Sequence, residues 1–295
     1  AVKGDKFGTD KVILISGGHD TKGNEQAPLD LVSLRTSFKK LKTAVRSIAV
    51  SGFFSVRNPS HEIAAKEEIL SLCPGMSVTC GHELSSDLDA ILRAATASLN
   101  AGLIPIVMDL LGSVEQVLKG RGIDVPLSVV RGDGSLVSSE WAKSHPIETI
   151  VSGPAASAIG AACLGKAHGI ERGSWVVDIG GTTTDIIYLD KNGDPAISAH
   201  GASVGSHRTL IKAIDIFTVG LGGDSRVMYD NKEDLFEIGP GRVKPLCSAV
   251  SENPDLNGCL GSPKKPGGPK EPIIIIKNRT ESTDGVLESR LGEGL

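Results

Sequence analysis

The segment Trp175–Leu189, WVVDIGGTTTDIIYL, restricts the fold more than any other stretch of this chain. Two short apolar runs, Trp175–Ile179 and Ile186–Asp190, flank two glycines and three threonines, which predicts an antiparallel hairpin. The first strand delivers Asp178 to its end, and Asp185 begins the return strand. Gly180 and Gly181 keep side chains out of the turn, while Thr182, Thr183 and Thr184 add hydroxyls and backbone N–H groups. Phosphate oxygens need several converging donors of this kind. A carboxylate beside them holds Mg²⁺ through water or orients an attacking group, as phosphoryl transfer requires. Asp178 is therefore the candidate catalytic residue, Asp178 and Asp185 the candidate metal ligands, and Gly180–Thr184 the candidate phosphate cradle. The structural alternative is a Gly- and Thr-rich turn capped by Asp185. No GxxxxGK[ST] loop occurs, and the GG turn is not a GxGxxG opening a helix.

A second glycine-rich loop, Val219–Ser225 (VGLGGDS), adds Gly222, Gly223 and Asp224 as candidate nucleotide contacts, because glycine lets backbone N–H groups approach a ligand. A tight strand-to-helix turn is the alternative. The seven histidines are scattered without HxH, HExxH or Cys/His spacing, so the local sequence builds no zinc site. There is no GxSxG elbow for serine hydrolysis.

Strands alternating with helical patterns place the chain in the α/β class. Strands are expected at Lys11–Ser16, Arg46–Ser51, Pro126–Val130 and around Pro195–Ala199. Helices are expected from Pro28 to about Thr43, His61–Leu72, Ser85–Ala101, Pro105–Arg121 and His207–Asp215. Ser152–Gly169 is a helix so rich in Ala and Gly that it must pack closely on a neighbour. Residues 1–150 form one expected lobe and 151–250 a second. The tail 251–295 holds a Pro/Gly/Lys-rich stretch and an isolated run of isoleucines at Pro272–Lys277, and is expected to be a linker or truncated edge.

Composition removes several function classes. The 31 Lys+Arg against 35 Asp+Glu give a net charge of −4, with no excess to neutralise a nucleic-acid backbone. Aromatics are 3%, too few for base-stacking platforms. The apolar runs look too short to cross a bilayer, and AVKGDKFGTD lacks a signal-peptide core. Five cysteines without a CxxC pair favour reduced thiols, so the expected setting is cytoplasmic, with neither nucleic acid nor membrane as partner.

DIGGTTTD resembles the second phosphate motif of the actin, Hsp70 and sugar-kinase superfamily. More closely, Ser152–Gly165 followed by VVDIGGTTTDI resembles the hydantoinase A/oxoprolinase family, and so do Asn58–Glu62 (NPSHE), Arg131–Leu136 (RGDGSL) and Asp215–Ser225 (DIFTVGLGGDS). These segments keep the family's order over roughly residues 45 to 250. The resemblance implies ribonuclease-H-like lobes with mixed sheets flanked by helices. It implies an ATP- and Mg²⁺-dependent hydrolase that opens a cyclic amide of the hydantoin or 5-oxoproline type through a phosphorylated intermediate, beside a hydantoinase B-type subunit. The family's first DxGGTxTD motif has only a weak counterpart here in Gly17–Asp20, so the chain resembles the middle of a family member. A sugar- or acid-kinase-like phosphotransferase and a non-catalytic ATP-binding assembly module are the alternatives.

Overall fold

A computed structural model describes residues 7, 9, 11–41, 45–169, 173–230 and 234–254. The expected tail lies outside the described residues from 255 onward, including the Pro272–Lys277 run. The chain is α/β and divides into two compact units, 1–174 with 187–216, and 175–186 with 217–295.

In the first unit, β1 (Gly18–His19) and β2 (Glu25–Ala27) pair antiparallel around a turn whose amides at Lys22 and Asn24 donate to the Asp20 carboxylate. The expected strand at Lys11–Ser16 is absent. Those residues are irregular, Leu14 is largely exposed, and no strand among the described residues takes up their backbone groups. Helix α1 (Leu31–Leu41) starts after Asp30 and not at Pro28, because the Asp30 carboxylate accepts from the amide and hydroxyl of Ser33.

Strand β3 (Ser47–Val50), helix α2 (Ser60–Leu72) and strand β4 (Ser77–Cys80) form a β-α-β unit, the strands pairing parallel from Ser47 opposite Ser77 to Val50 opposite Cys80. After the short α3 (Gly81–Leu84), helix α4 runs unbroken over Ala90–Gly120, 31 residues, with Asp89 capping it through the Leu92 amide. The two helices expected here are one. Pro105 removes one backbone donor, but Ala97, Ala101, Ile104 and Leu111 are buried on both sides of it and hold the axis together. By length and composition α4 would also cross a bilayer, so the expectation that every apolar run is too short is corrected.

Strands β5 (Ser128–Val130) and β6 (Leu136–Ser138) form a hairpin, followed by α5 (Ser139–Ser144), a 3₁₀ turn at Pro146–Thr149 and α6 (Ser152–Ala167). Alanines 155, 158 and 162 are buried on α6, and Ile159 presses so closely on Gly134 that a Cβ there would lie 2.8 Å from it. The close packing expected of this small-residue helix is thus present.

Strands β7 (Ser174–Ile179) and β8 (Thr184–Leu189) adjoin in a three-stranded sheet ordered β11-β8-β7, and the division between the units falls within all three strands. Strands β9 (Ser203–Val204) and β10 (His207–Arg208) make a small hairpin in the first unit. The helix expected over His207–Asp215 is absent. Thr209, Ile211 and Ala213 are buried while Lys212 is exposed, an alternation of period two that belongs to extended chain. The strand expected at Pro195–Ala199 is reduced to isolated bridges, Leu189 with Pro195 and Ile197 with Ile214. In the second unit follow β11 (Ile216–Val219), the antiparallel pair β12 (Ser225–Asp230) and β13 (Leu235–Arg242), and α7 (Leu246–Glu252).

The buried polar residues of α4 tie the first unit together. Arg93 is fully buried and donates to the carbonyls of Gly52, Phe53 and Asp87 at 2.6–2.7 Å. Asn100 donates to Thr79 Oγ1 and the Ser144 carbonyl and accepts from the Ile147 amide. Replacing Arg93 leaves three carbonyls and the buried Glu62 without their cation. Arg93→Ala is expected to destabilise by about 3–5 kcal/mol, and Arg93→Lys to recover little because one ammonium cannot replace the planar fork. Urea unfolding of the three proteins measures it.

Candidate functional site

The hairpin β7–β8 has only residues 180–183 between its strands, and a connection that short joins antiparallel neighbours. The Gly180 amide donates to the Thr183 carbonyl at 2.9 Å, and counting outward from that pair places Asp178 opposite Asp185. The turn is exposed at Gly180, Gly181 and Thr182 and is not packed into a core.

The Leu221–Ser225 loop docks on this turn, backbone against backbone. The Gly223 amide donates to the Gly180 carbonyl at 3.0 Å, and the Asp224 amide to the Gly181 carbonyl at 2.7 Å. The Thr184 hydroxyl donates to the Leu221 carbonyl at 2.7 Å. The loop is closed on itself by the Gly222 amide donating to Ser225 Oγ and the Ser225 amide to the Gly222 carbonyl. Gly222 lies directly on the 181–182 peptide: a Cβ there would sit 2.5 Å from the Gly181 oxygen and 2.6 Å from the Thr182 nitrogen. The two glycine-rich motifs singled out from the sequence are therefore one structure.

This docking sorts the candidate residues. The amides of Gly180, Gly222, Gly223 and Asp224 and the hydroxyl of Thr184 are already bonded to protein. Among the described residues, the amides of Gly181, Thr182 and Thr183 have no backbone acceptor, and they are grouped at the exposed tip. Asp178 is half-buried, with no hydrogen-bond or ion-pair partner among the described residues. Asp185 accepts from the Thr218 hydroxyl at 2.5 Å. Asp224 points one buried oxygen at no donor and holds the other 3.7 Å from the Arg242 guanidinium. Thr218, Leu221 and Arg242 were missed in the sequence because each acts through a backbone or side-chain contact that no short motif records.

Two further features lie in the first unit. Glu62, Cys80 and His82 bring one donor atom each within 4.8 Å of one another, and no such trio among the described residues includes Asp178, Asp185 or Asp224. An open groove of about 500 Å³ is lined by Asp89, Leu92, Ser206, His207 and Arg208, among others, and none of the candidate phosphate residues faces it.

A model of the hydantoinase/oxoprolinase family matches residues 93–248, and a model of the hydantoinase/oxoprolinase N-terminal region matches residues 2–73. Caprolactamase subunit alpha of Pseudomonas jessenii is 28% identical over 227 residues, 77% of this chain and 32% of that protein. The 5-oxoprolinase of Saccharomyces cerevisiae is 29% identical over 217 residues, 72% of this chain and 16% of that one. Among solved structures, the ATP-dependent caprolactamase from Pseudomonas jessenii superposes with a TM-score of 0.68 at 25% identity, over 86% of this chain and 38% of that chain. The nucleotide-free structure of acetone carboxylase shares the fold, with a TM-score of 0.62 at 22% identity over 77% of this chain and 32% of that chain. The chain spans about a third of the length of the caprolactamase subunit.

The contact at Gly222 yields a paired test. Gly222→Ala must push the 181–182 peptide away and is expected to destabilise the second unit by about 1–3 kcal/mol. Gly223→Ala meets its nearest atoms only at 3.9 Å and has no positive φ, so it is expected to stay within about 1 kcal/mol of the parent. Denaturant melts of both variants decide, and equal effects would show that the loop does not rest on the turn.

Proposed function

From the premise that the chain belongs to the hydantoinase/oxoprolinase family, we propose that it is a nucleotide-binding portion of an ATP-dependent hydrolase that opens cyclic amides. The observation that carries this is the turn at Gly181–Thr183, whose amides have no acceptor among the described residues and are held in place from behind by the Leu221–Ser225 loop. Amides grouped in this way bind phosphate oxygens. In this proposal Gly181, Thr182 and Thr183 contact phosphate, while Gly180, Thr184, Gly222, Gly223 and Asp224 hold the turn in shape.

The donor set fits a magnesium ion. Like charges opposite one another across a hairpin are unfavourable, and Asp178 has no cationic partner among the described residues to relieve them. Magnesium binds through one or two carboxylates, several waters and substrate phosphates, a set that Asp178 and Asp185 beside the turn amides could supply. Asp178 would be its principal protein ligand, with Asp185 beside it steadied by Thr218. Such an ion neutralises phosphate charge during transfer.

An amide carbonyl is a poor electrophile, and phosphorylation of its oxygen makes it one that water opens. The names of the relatives, a caprolactamase and a 5-oxoprolinase, support a lactam or related cyclic amide as substrate. Two relatives are named as subunits, caprolactamase alpha and acetophenone carboxylase gamma, which supports a partner subunit of hydantoinase B type. Ribonuclease-H-like lobes divided near residue 150 and a cytoplasmic location complete the proposal.

The test is Asp178→Asn in the complete enzyme with any partner subunit. The substitution keeps shape and most hydrogen bonding, so the melting behaviour is expected to change by no more than ~1 kcal/mol. Cyclic-amide-dependent phosphate release is expected to fall by at least ~10²-fold. A variant that melts normally and turns over at the parent rate would make Asp178 structural and end the proposal.

A further inference from the structure

The parallel strands β3 and β4 end side by side, and the chain turns sharply after each, at Ser51-Gly52 and at Gly81-His82. Ligands of open α/β sheets bind outside the carboxyl ends of such strands. Glu62 of α2 lies between the two turns and is 1% exposed. Its Oε1 accepts the Gly52 amide at 2.7 Å, and its Oε2 accepts the His82 amide at 3.0 Å and His82 Nδ1 at 2.5 Å. A carboxylate only accepts, so the hydrogen of that last bond sits on Nδ1. The lone pair of the neutral ring is therefore on Nε2. The His82 side chain is 21% exposed, and its Nε2 has no protein partner among the described residues.

We infer that Glu62 and His82 form a general-base pair at the carboxyl ends of β3 and β4, in which His82 Nε2 takes a proton from water attacking an activated acyl group. The surroundings suit proton transfer and disfavour a cation. Arg93 stands beside the pair with its guanidinium on the Gly52 and Phe53 carbonyls, which fixes one turn and opposes a metal ion. Cys80 keeps its proton: burial, then Glu83 and Glu62, push the thiol up to about 12, and its sulfur lies against the Glu62 carbonyl. Glu83 is paired with Lys66 at 2.6 Å. A Cβ at Gly81 would come within 2.9 Å of Ser51 Oγ, so glycine keeps that approach open.

The substrate class is an acyl phosphate, a choice that rests on the proposed function, because opening an ATP-activated amide releases an amine and leaves that group. Water oxygen bonds to the acyl carbon while its proton moves to Nε2, and Glu62 stabilises the imidazolium. The tetrahedral adduct then breaks its carbon–oxygen bond to phosphate. The departing phosphate takes the proton from Nε2, and the carboxylic acid product ionises to solvent. Glu62 is a positioning residue here, acting through the tautomer of His82.

Acetyl phosphate tests this without ATP, and so apart from the phosphate hairpin. The full chain is expected to hydrolyse it. His82→Gln is expected to lower the rate by ~10²-fold, and added imidazole to restore part of the rate in His82→Ala. Nitrogen NMR of the parent is expected to show His82 hydrogen-bearing at Nδ1 and bare at Nε2, and Glu62→Gln to shift the ring toward the other tautomer. A hydrogen on Nε2, hydrolysis indifferent to His82, or stoichiometric zinc uptake through Cys80 and His82 would each overturn the inference. Loss of ATP-dependent amide opening in Asp178→Asn with acetyl phosphate hydrolysis intact would leave both proposals standing. If Asp178→Asn instead leaves amide opening unchanged, the nucleotide proposal fails alone.

Discussion

The second unit depends on a contact that contains no side chain at all. Gly222 rests on the peptide joining Gly181 to Thr182, and the amides of Gly223 and Asp224 are tied to the carbonyls of Gly180 and Gly181. Backbone groups are obligatory hydrogen bonders, so a turn that points its carbonyls inward must leave its remaining amides facing out. The open amides of Gly181, Thr182 and Thr183 follow from that geometry. A side chain at 222 would separate the two loops by an ångström or more, and the same amides would then be free to rotate and to find other acceptors. The glycine pattern of the second loop serves the first loop, and the exposed tip is the product of both.

In the first unit the corresponding constraint is two buried charged groups, Glu62 and Arg93. Removing a carboxylate or a guanidinium from water is unfavourable by several kcal/mol unless each is surrounded by partners. Glu62 meets that condition through two amides and an imidazole, and Arg93 largely so through three carbonyls that take up its terminal nitrogens, its Nε having no partner among the described residues. Their partners are the backbone of the turns that follow β3 and β4. Charges that would otherwise destabilise the core therefore hold two turns at fixed positions, which is how a strand-end site acquires the rigidity its chemistry requires.

What could be read from the sequence was local. The β7–β8 hairpin was legible because apolar runs bracketed two glycines, and α6 because Ala and Gly filled a helical stretch between Pro154 and Gly169. Of the parallel β-α-β unit, β3 and α2 were legible but the short strand β4 (Ser77–Cys80) was not, and the preceding α1 begins three residues later than Pro28 suggested, where Asp30 caps it. Extended residues 209–213 were misread as helix because a short apolar run fits both periods, and their burial alternation appears only against neighbours. The Glu62–His82–Arg93 cluster left no local mark. Its members are separated by tens of residues, and no spacing rule connects a helix N-terminus, a strand end and a second helix. The docking of loop 221–225 on turn 180–183 was invisible for the same reason, since both loops were noticed but nothing in either encodes the other.

Helix α4 shows why composition alone misleads about environment. Its apolar length is that of a membrane span, yet its first turns carry Arg93, Thr96 and Asn100, all completely buried. Arg93 reaches carbonyls at 52, 53 and 87, the Thr96 hydroxyl accepts the Leu210 amide, and Asn100 bonds to Thr79, Ser144 and Ile147. Hydrocarbon supplies no such partners, and polar side chains at membrane depth are tolerated only where protein or water satisfies them. These bonds are made instead to loops and to β4 of the same unit, and, for Asn100, also to the end of α5 and the 3₁₀ turn after it. The apolar length itself is covered only in part: Ala97, Ala101, Ile104 and Leu111 are buried, while Ile106, Met108, Leu110 and Val117 are exposed. The buried hydrogen bonds of its first turns, and not its apolar length, are therefore what tie α4 into the first unit.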